Sequence, residues 1–238
     1  MYLLLSGGGF DSTIVTVLQS DKIAVVVNID YGQKAFTGEA GCARYFAYKY
    51  GIAHTSIKTT DFSEYVKNPI LKGGVGGVVI DGKWEEVFEG DRFEARNLML
   101  LSIGTILACA WGLSGVVTGF HKESSNKFMD ALPEFYSSFK KTVSKATNYP
   151  LKFWAPLQEK GLGRLDSMIL GLKADPEVWH AYTCYGAPSV KDGEVFSCGT
   201  CVHCYKRLEL ARQLRRAGVT CPLPLSHLGH IDHREEFV

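Results

Sequence analysis

A glycine-rich turn close to the first residue is the clearest place for chemistry in this chain. The run Ser6-Gly7-Gly8-Gly9-Phe10-Asp11-Ser12 follows the apolar stretch Tyr2–Leu5 and leads into Thr13 and an apolar, helix-like segment. Glycines let the backbone approach an anion closely, and the first N–H groups of a helix favour negative charge. The residues from Ser6 to Thr13 are therefore predicted to bind phosphate. The run matches neither a Walker A loop nor the Rossmann fingerprint.

Four cysteines in the last third of the chain have the spacing of metal ligands. They are Cys184, Cys198, Cys201 and Cys204. Four thiolates suit a tetrahedral zinc site, and the polar, turn-rich sequence around them is unlike the setting of buried free thiols. An iron–sulfur cluster is the competing interpretation, with Cys221 as a distant fourth ligand. The cysteine expected three residues after the third is absent, which favours zinc.

Strand-like runs alternate with helical patterns along the chain, and these elements must position the candidate residues. Strands are predicted over 2–5, 23–29, 52–57, 115–119 and 151–154, and helices over 13–18, 39–50, 96–111, 135–147 and 165–172. This alternation predicts an α/β protein with a doubly wound, mainly parallel sheet. Ligands of such sheets bind beyond the carboxyl ends of the strands. Asp30-Tyr31-Gly32-Gln33 and the residues after Gly119 are therefore further candidates.

The pattern also suggests how the chain is organised. We expect an α/β domain over residues 1–175, with an insertion at about 61–95 that carries a hairpin around Asp81-Gly82. Residues 176–238 are predicted to form a zinc-binding helical region packed on that domain. Cys42 and Cys109 fall within apolar helical patterns and are expected in the core. His203 is expected at the surface, as is the basic helix face that includes Arg207.

Composition narrows the classes of function. The 238 residues are 46% hydrophobic and 21% charged, with a net charge of +1, which is ordinary for a folded protein and argues against broad nucleic-acid binding. No apolar stretch approaches the ~20 residues that span a bilayer, and no signal peptide is visible. We therefore expect a cytoplasmic protein. Seven cysteines in that compartment point to metal binding or chemistry rather than disulfides.

The combination of these motifs resembles the 7-cyano-7-deazaguanine synthase (QueC) family, from Leu3 to about Leu214. That family belongs to the ATP pyrophosphatases, with an adenine nucleotide alpha-hydrolase-like fold. The resemblance implies that the glycine-rich turn and Tyr31 bind ATP with Mg²⁺ and that the four cysteines bind zinc. It also implies a homodimer. The residues that it implies for catalysis are Asp30, Gln33, Arg96 and Asn97.

The resemblance implies a carbon–nitrogen ligase. Family members activate the carboxylate of 7-carboxy-7-deazaguanine with ATP, which gives an acyl adenylate and pyrophosphate. Ammonia then forms an amide, and a second activation by ATP dehydrates the amide to the nitrile. Transfer of AMP needs positive groups around the departing pyrophosphate, and Arg96 is suited to this task. The chemistry requires no side-chain nucleophile.

Several positions depart from the pattern of the family and suggest a changed acceptor or substrate. Gly7, His121 and Ser124 stand where serine, asparagine and aspartate are usual, and Arg164 stands where lysine is usual. QueC-like proteins also occur in antiviral operons, where the activated acid is joined to the N-terminal amine of a protein. This conjugation is the alternative to nitrile synthesis.

Two other classes of protein are compatible with the turn and the cysteines. One is a nucleotide- or RNA-binding module without catalysis, although the near-neutral charge makes direct nucleic-acid binding a poor fit. The other is a sulfur-transferring relative that acts on tRNA. This second class needs Cys42 or Cys109 as a nucleophile.

Overall fold

The computed structural model describes residues 1–66, 68, 70–72, 78–80, 83–85, 93–126, 129–147, 149–191, 194–199 and 201–220. Its strands are β1 (Tyr2–Leu5), β2 (Ile23–Asp30), β3 (Ala53–Lys58), β4 (Val78–Ile80), β5 (Lys83–Glu85), β6 (Gly115–Val117), β7 (Lys152–Trp154), β8 (Ser189–Lys191) and β9 (Glu194–Phe196). Its α-helices are α1 (Phe10–Leu18), α2 (Phe36–Lys49), α3 (Arg96–Ala110), α4 (Pro133–Thr147), α5 (Pro156–Glu159), α6 (Arg164–Ala174) and α7 (Val202–Arg216).

Five of the strands form a parallel sheet in the order β3-β2-β1-β6-β7. Neighbouring residues of each strand point to opposite faces. Leu4 and Val117 are buried with side chains of α1, α2, α6 and α7, whereas Leu3 and Val116 are buried with side chains of α3 and α4. Helices therefore cover both faces, which confirms the predicted doubly wound α/β fold.

The order of the strands fixes where a ligand can bind. The chain runs from β1 outwards to β2 and β3, and then returns to pair β6 with the other edge of β1. The connections after β1 and β6 therefore leave on opposite faces of the sheet and open a crevice at its carboxyl end. Gly119 lies in that crevice, where a Cβ would come within 2.6 Å of the backbone nitrogen of Ser12. The strand β6 was predicted to end at residue 119 but ends at Val117, so Gly119 lies in the connection that follows the strand.

Two antiparallel pairs stand apart from the sheet. The strands β4 and β5 pair with each other, and Asp81 and Gly82, where the hairpin turn is predicted, lie outside the described residues. The strands β8 and β9 pair in the segment that leads to the last helix. Cys221, His227, His230 and His233 also lie outside the described residues. None of the helices in the described part of the chain has the length and apolar character needed to cross a bilayer.

Candidate active site and metal centre

The glycine-rich turn joins β1 to α1 in a backbone form that only glycine adopts easily. Gly8 has a φ of +62°, and a Cβ there would lie 2.1 Å from the carbonyl oxygen of Glu39. Its N–H donates to the Ser6 hydroxyl at 3.1 Å, and this hydroxyl lies 3.1 Å from the Ser12 hydroxyl. Gly9 precedes α1 with extended backbone, and no side chain of the described residues caps it. The first N–H groups of α1 are therefore available to an anion at the carboxyl end of the sheet.

A cavity of about 280 Å³ lies beside this turn, and it brings together most of the predicted site residues. The predicted residues that line it are Ser6, Gly7, Gly9, Phe10, Asp11, Ser12, Tyr31, Gln33, Arg96 and Asn97. Three predicted residues, Gly8, Thr13 and Asp30, do not line it. The carboxylate of Asp30 instead accepts the N–H of Gly32 at 3.0 Å and shapes the turn after β2.

Arg96 and Asn97 enter the cavity from the first turn of α3. The guanidinium of Arg96 hydrogen-bonds to Tyr31 and Tyr185. The backbone N–H and the side-chain NH₂ of Asn97 both donate to the carboxylate of Asp130, each at 2.9 Å. A carboxylate at a helix N-terminus is favourable because of the helix dipole. Since its NH₂ is held by Asp130, Asn97 can offer its amide oxygen as an acceptor to a ligand.

Ala95 directly precedes this pair in a strained conformation. Its φ is +56° and its ψ is +17°, in the left-handed region where a Cβ costs roughly 1 kcal/mol. We expect Ala95→Gly to raise the free energy of unfolding by about 1 kcal/mol because glycine adopts this backbone without strain. Chemical denaturation measures the change. The control is Ala110→Gly, at the last position of the same helix and without positive φ, which is expected to lower the free energy of unfolding. A lower free energy of unfolding in Ala95→Gly would contradict the assignment of strain.

Glu39 lines the same cavity and was missed by the sequence reasoning. Gln33 donates to its carboxylate at 3.1 Å and also to the carbonyl of Ile29, while its own amide oxygen accepts the N–H of Tyr31. A Cβ at Gly7 would lie 3.9 Å from the Glu39 carboxylate, which leaves room for a side chain there. Burial raises the pKa of Glu39 to about 7, against the lowering effects of the Gln33 hydrogen bond and the Arg96 charge. The only sequence signal was an acidic residue in the first turn of α2.

The raised pKa of Glu39 predicts a pH-dependent stability. The folded pKa lies above the value of 4.5 for a free glutamate, so the folded state holds the proton of Glu39 more tightly than the unfolded state does. The resulting contribution to the free energy of unfolding is fully present below pH 4.5 and is lost as pH rises through about 7. Glu39→Gln cannot ionise, so we expect it to exceed the parent protein in unfolding free energy by about 1–3 kcal/mol at pH 8.5. At pH 4.5 the difference should shrink. Melting curves at both values test this, with exposed Glu134→Gln as the matched control; equal differences at the two pH values would contradict it.

The segment from Ala181 to Tyr185 forms a further wall of the cavity. The N–H of Tyr182 donates to the carbonyl of Gly8 at 3.0 Å, which ties this segment to the glycine-rich turn. Thr183 lines the cavity, and its hydroxyl is buried without a hydrogen-bond partner among the described residues. An unpaired buried hydroxyl is costly, so the Thr183 hydroxyl is a candidate for a hydrogen bond to a ligand in the cavity. Tyr185 stacks on His203 with ring centroids 3.7 Å apart.

The helix α7 contributes to the cavity, and one expectation about it is wrong. His203, expected at the surface, is half-buried and lines the cavity, as does Lys206. Arg207 was expected on a solvated helix face, but it is 5% exposed. Its guanidinium lies over the rings of Phe10 and Trp179 and donates to the carbonyl oxygens of Trp179 and Ala181. The buried arginine thus anchors α7 to α1, a role that its sequence neighbours do not reveal.

The four cysteines form a cluster whose Sγ atoms all lie within 4.8 Å of one another. The Cys184–Cys198, Cys184–Cys201 and Cys201–Cys204 sulfur atoms are 3.3, 3.9 and 3.6 Å apart. Thiolates about 2.3 Å from one tetrahedral ion are separated by roughly 3.8 Å, so the cluster fits a single metal ion. The N–H groups of Gly186 and Cys198 donate to the Cys184 sulfur at 3.1 and 3.2 Å.

Comparison with known proteins decides the family. The model of the family described as "Queuosine biosynthesis protein QueC" matches residues 1–214. The chain belongs to the QueC family. This confirms the resemblance seen in the sequence, and the match spans the sheet, the cavity and the cysteine cluster of this QueC-family chain.

Three curated relatives are similar to this chain along most of their length. The 7-cyano-7-deazaguanine synthase of Methanococcus maripaludis is 28% identical over 90% of this chain and 94% of that protein. The enzymes of the same name from Marinomonas sp. and Pyrococcus furiosus are 28% and 26% identical, over 87% and 86% of this chain and 91% and 89% of those proteins. Among solved structures, the U34-tRNA thiolase NcsA from Methanococcus maripaludis with its [4Fe-4S] cluster aligns with a TM-score of 0.48 and 12% identity, over 100% of this chain and 73% of that one.

Proposed function

We propose that this protein is an ATP-dependent ligase that adenylates 7-carboxy-7-deazaguanine and joins the activated acid to nitrogen. One observation carries the proposal. The glycine-rich turn at the start of α1 shares a single cavity with Arg96, Asn97 and Gln33, in a chain of the QueC family. A nucleotide phosphate and a reacting carboxylate can therefore meet in one place.

One group of residues in the cavity would bind the phosphates of ATP. The N–H groups of Gly9 and the first turn of α1, with the hydroxyls of Ser6 and Ser12, would bind the phosphates of ATP, and Mg²⁺ would neutralise part of their charge. Glycine at positions 8 and 119 keeps the turn in this shape, because a Cβ at either position would meet backbone atoms of the protein at 2.1 or 2.6 Å.

Arg96 would stabilise the charge that builds on pyrophosphate as the acid attacks the α-phosphorus. The acid oxygen forms a bond to phosphorus while the bond to the bridging oxygen breaks, and the electron pair leaves with pyrophosphate. Fixed donors at the position of developing charge lower such barriers. Hydrogen bonds to Tyr31 and Tyr185 would restrain the guanidinium before the substrate binds.

The wall formed by α7 and the segment before it would bind the deazapurine ring. The Tyr185–His203 stack offers an aromatic surface, and the Thr183 hydroxyl offers a hydrogen bond. Ammonia would then attack the acyl carbon and expel AMP, and a second adenylation of the amide oxygen would release the nitrile. Asp30 would act through the shape of its turn, since it does not line the cavity.

We also propose that the cysteine cluster holds Zn²⁺ in a structural role. The sulfur separations of 3.3 to 3.9 Å suit one tetrahedral ion. An iron–sulfur cluster between the same thiolates would hold them farther apart, because iron and sulfide atoms would separate them. Cys42 is poorly suited to sulfur transfer, since burial raises the pKa of its thiol.

Product analysis tests the proposed reaction. The protein is incubated with ATP, 7-carboxy-7-deazaguanine and ammonium, and pyrophosphate release is measured with and without the acid. We expect acid-dependent release and a product with the mass of the nitrile. Release without a nitrile, together with a mass shift on the N-terminus of an added partner protein, would favour conjugation instead. The absence of acid-dependent release would overturn both and leave a non-catalytic nucleotide-binding protein.

A further inference from the structure

Glu39 is a carboxylate of the cavity to which the proposed reaction assigns no task. It lies in the first turn of α2, where its backbone carbonyl packs against Gly8 and its Oε1 atom would lie 3.9 Å from a Cβ at Gly7. Gly38 lets the same turn approach the opposite wall, because a Cβ there would lie 2.7 Å from the ring of Tyr182. The carboxylate of Glu39 is therefore placed between the glycine-rich turn and the wall that contains Tyr182.

One oxygen of this carboxylate is held by the protein, and the other is open to a ligand. Gln33 donates to the Oε2 atom of Glu39 at 3.1 Å, and the same NH₂ group donates to the carbonyl of Ile29 at 2.9 Å. The amide oxygen of Gln33 accepts the N–H of Tyr31 at 2.9 Å, which fixes the orientation of the amide. Within the described part of the chain, no hydrogen bond ends on the Oε1 atom. Glu39 therefore presents an oriented oxygen with free lone pairs to the cavity.

Glu39 is better placed to accept a proton than Asp11, the second carboxylate among the described residues of the cavity. The Oδ2 atom of Asp11 lies 3.6 Å from the Nε2 atom of His121, and its carboxylate also faces the charge of Arg164. Asp11 thus has partners on the side of α6, whereas Glu39 keeps one oxygen for a ligand.

The groups around Glu39 determine when it can accept a proton. Arg96 of α3 lowers the pKa of Glu39 and Asp30, at the end of β2, raises it, whereas the raised pKa values of Tyr31 and Cys42 keep these two groups neutral. Burial is the largest effect, and the pKa of Glu39 is about 7. A carboxyl group with this pKa can take up and release a proton at neutral pH.

The proposed reaction removes protons from nitrogen in both of its halves. Ammonia forms a bond to the acyl carbon and loses one N–H proton, and AMP leaves with the electron pair of its C–O bond to give the amide. After ATP adenylates the amide oxygen, the nitrogen loses a second proton to give the imidate. The third proton is lost as the C–O bond to AMP breaks, and the electron pair of that N–H bond becomes the third bond of the nitrile.

We propose that Glu39 is the general base of this cavity and that its Oε1 atom accepts the N–H protons of the attacking amine and of the adenylated amide. This role rests on the proposed function. All three protons leave the same nitrogen, on the same carbon, so one fixed carboxylate can serve every step. Glu39 is half-buried, and its proton can pass to water between the steps.

Two nucleophiles separate loss of the base from loss of adenylation. Acid-dependent exchange of labelled pyrophosphate into ATP measures adenylation. Hydroxylamine depends less on a base than ammonia does, because it is the stronger nucleophile and its conjugate acid is a stronger acid than ammonium. In Glu39→Gln we expect exchange within about threefold of the parent, amide formation at least about 10²-fold slower and hydroxamate formation within about tenfold. Glu39→Asp should recover part of the amide rate, and Glu134→Gln, at an exposed position of α4, is the matched control.

The pH dependence gives a test that needs no variant. Amide formation is measured at low ammonium, and the rate is divided by the concentration of unprotonated ammonia. In the unmutated protein this corrected rate should be constant above pH 7 and should fall about tenfold per pH unit below it, because only the ionised carboxylate accepts a proton. The corrected rate of Glu39→Gln should not change with pH.

Each other result has a defined meaning. Amide formation in Glu39→Gln within about threefold of the parent rate would overturn the role of Glu39. A corrected rate that does not change with pH in the unmutated protein would overturn it too, whatever the folding of the variant. Loss of pyrophosphate exchange in folded Glu39→Gln would overturn it in favour of a role in adenylation. Absence of acid-dependent exchange in the unmutated protein would refute the proposed function itself, and the base would fall with it.

Discussion

Cys201→Ala is expected to abolish metal binding at the cysteine cluster and to leave most of the protein insoluble or unfolded. A structural zinc ion contributes roughly 10–16 kcal/mol of apparent binding free energy in small modules, which exceeds the stability of most domains. The cluster also adjoins the cavity, because Thr183 and Tyr185, which flank Cys184, and His203, which precedes Cys204, all line the cavity. Loss of the ion should therefore also remove one wall of the site.

Elemental analysis and thermal melting of the purified protein measure this effect. We expect about one zinc per unmutated chain and almost none in Cys201→Ala, with a large fall in melting temperature. Cys109→Ala is the matched control, since Cys109 packs on the opposite face of the sheet and lies outside the cluster. Iron with sulfide and visible absorbance in the unmutated protein would refute zinc. Full metal content and unchanged melting in Cys201→Ala would refute a structural metal role of the cluster.

Arg96→Ala should lower the rate of acid-dependent pyrophosphate release by about 10²- to 10³-fold. That loss corresponds to removal of one fixed donor from a site of developing charge. Arg96→Lys should recover only part of the rate, because an ammonium cannot reproduce the planar set of donors that meets Tyr31 and Tyr185. Steady-state kinetics with ATP and the acid should show the loss in kcat rather than in KM.

Two controls separate catalysis from folding in this test. Arg212→Ala removes a guanidinium from the same protein at a half-exposed position on α7 that pairs with Glu209, and we expect its rate to be unchanged. Loss of Arg96 leaves two tyrosine hydroxyls without that partner, so melting curves must accompany the kinetics. A folded Arg96→Ala protein within threefold of the parent rate would show that Arg96 does not act on the reaction.

Elements with strong local signals could be predicted well from the sequence. The Val-rich run of β2 is buried on both sides, as expected of a central parallel strand, and β2 extends one residue beyond its predicted end. The helix α3 begins at Arg96 as predicted. The clustering of the four cysteines could also be predicted, because three of them recur every three residues, a spacing typical of metal ligands.

Positions that depend on distant packing could not be predicted in this way. Glu39 and His203 look like ordinary residues of helix surfaces. Both line the cavity because the first turn of α2 packs against the glycine-rich turn and the first turn of α7 packs against Tyr185. Arg207 is buried by Phe10 and Trp179, which are remote in sequence. Asp30 belongs to the predicted motif, yet its carboxylate accepts the N–H of Gly32 in its own loop.

The sequence by itself determined the family, the alternation of strands and helices, the glycine-rich turn before α1 and the set of four cysteines that cluster. Each of these depends on residues within one short segment, where the types of side chain and their spacing already contain the chemistry. The tertiary structure decided which side chains share the cavity, and it placed His121 between Asp11 and Glu123. Those contacts depend on the order of strands around β1 and on how closely backbones approach at Gly119, which no local pattern specifies.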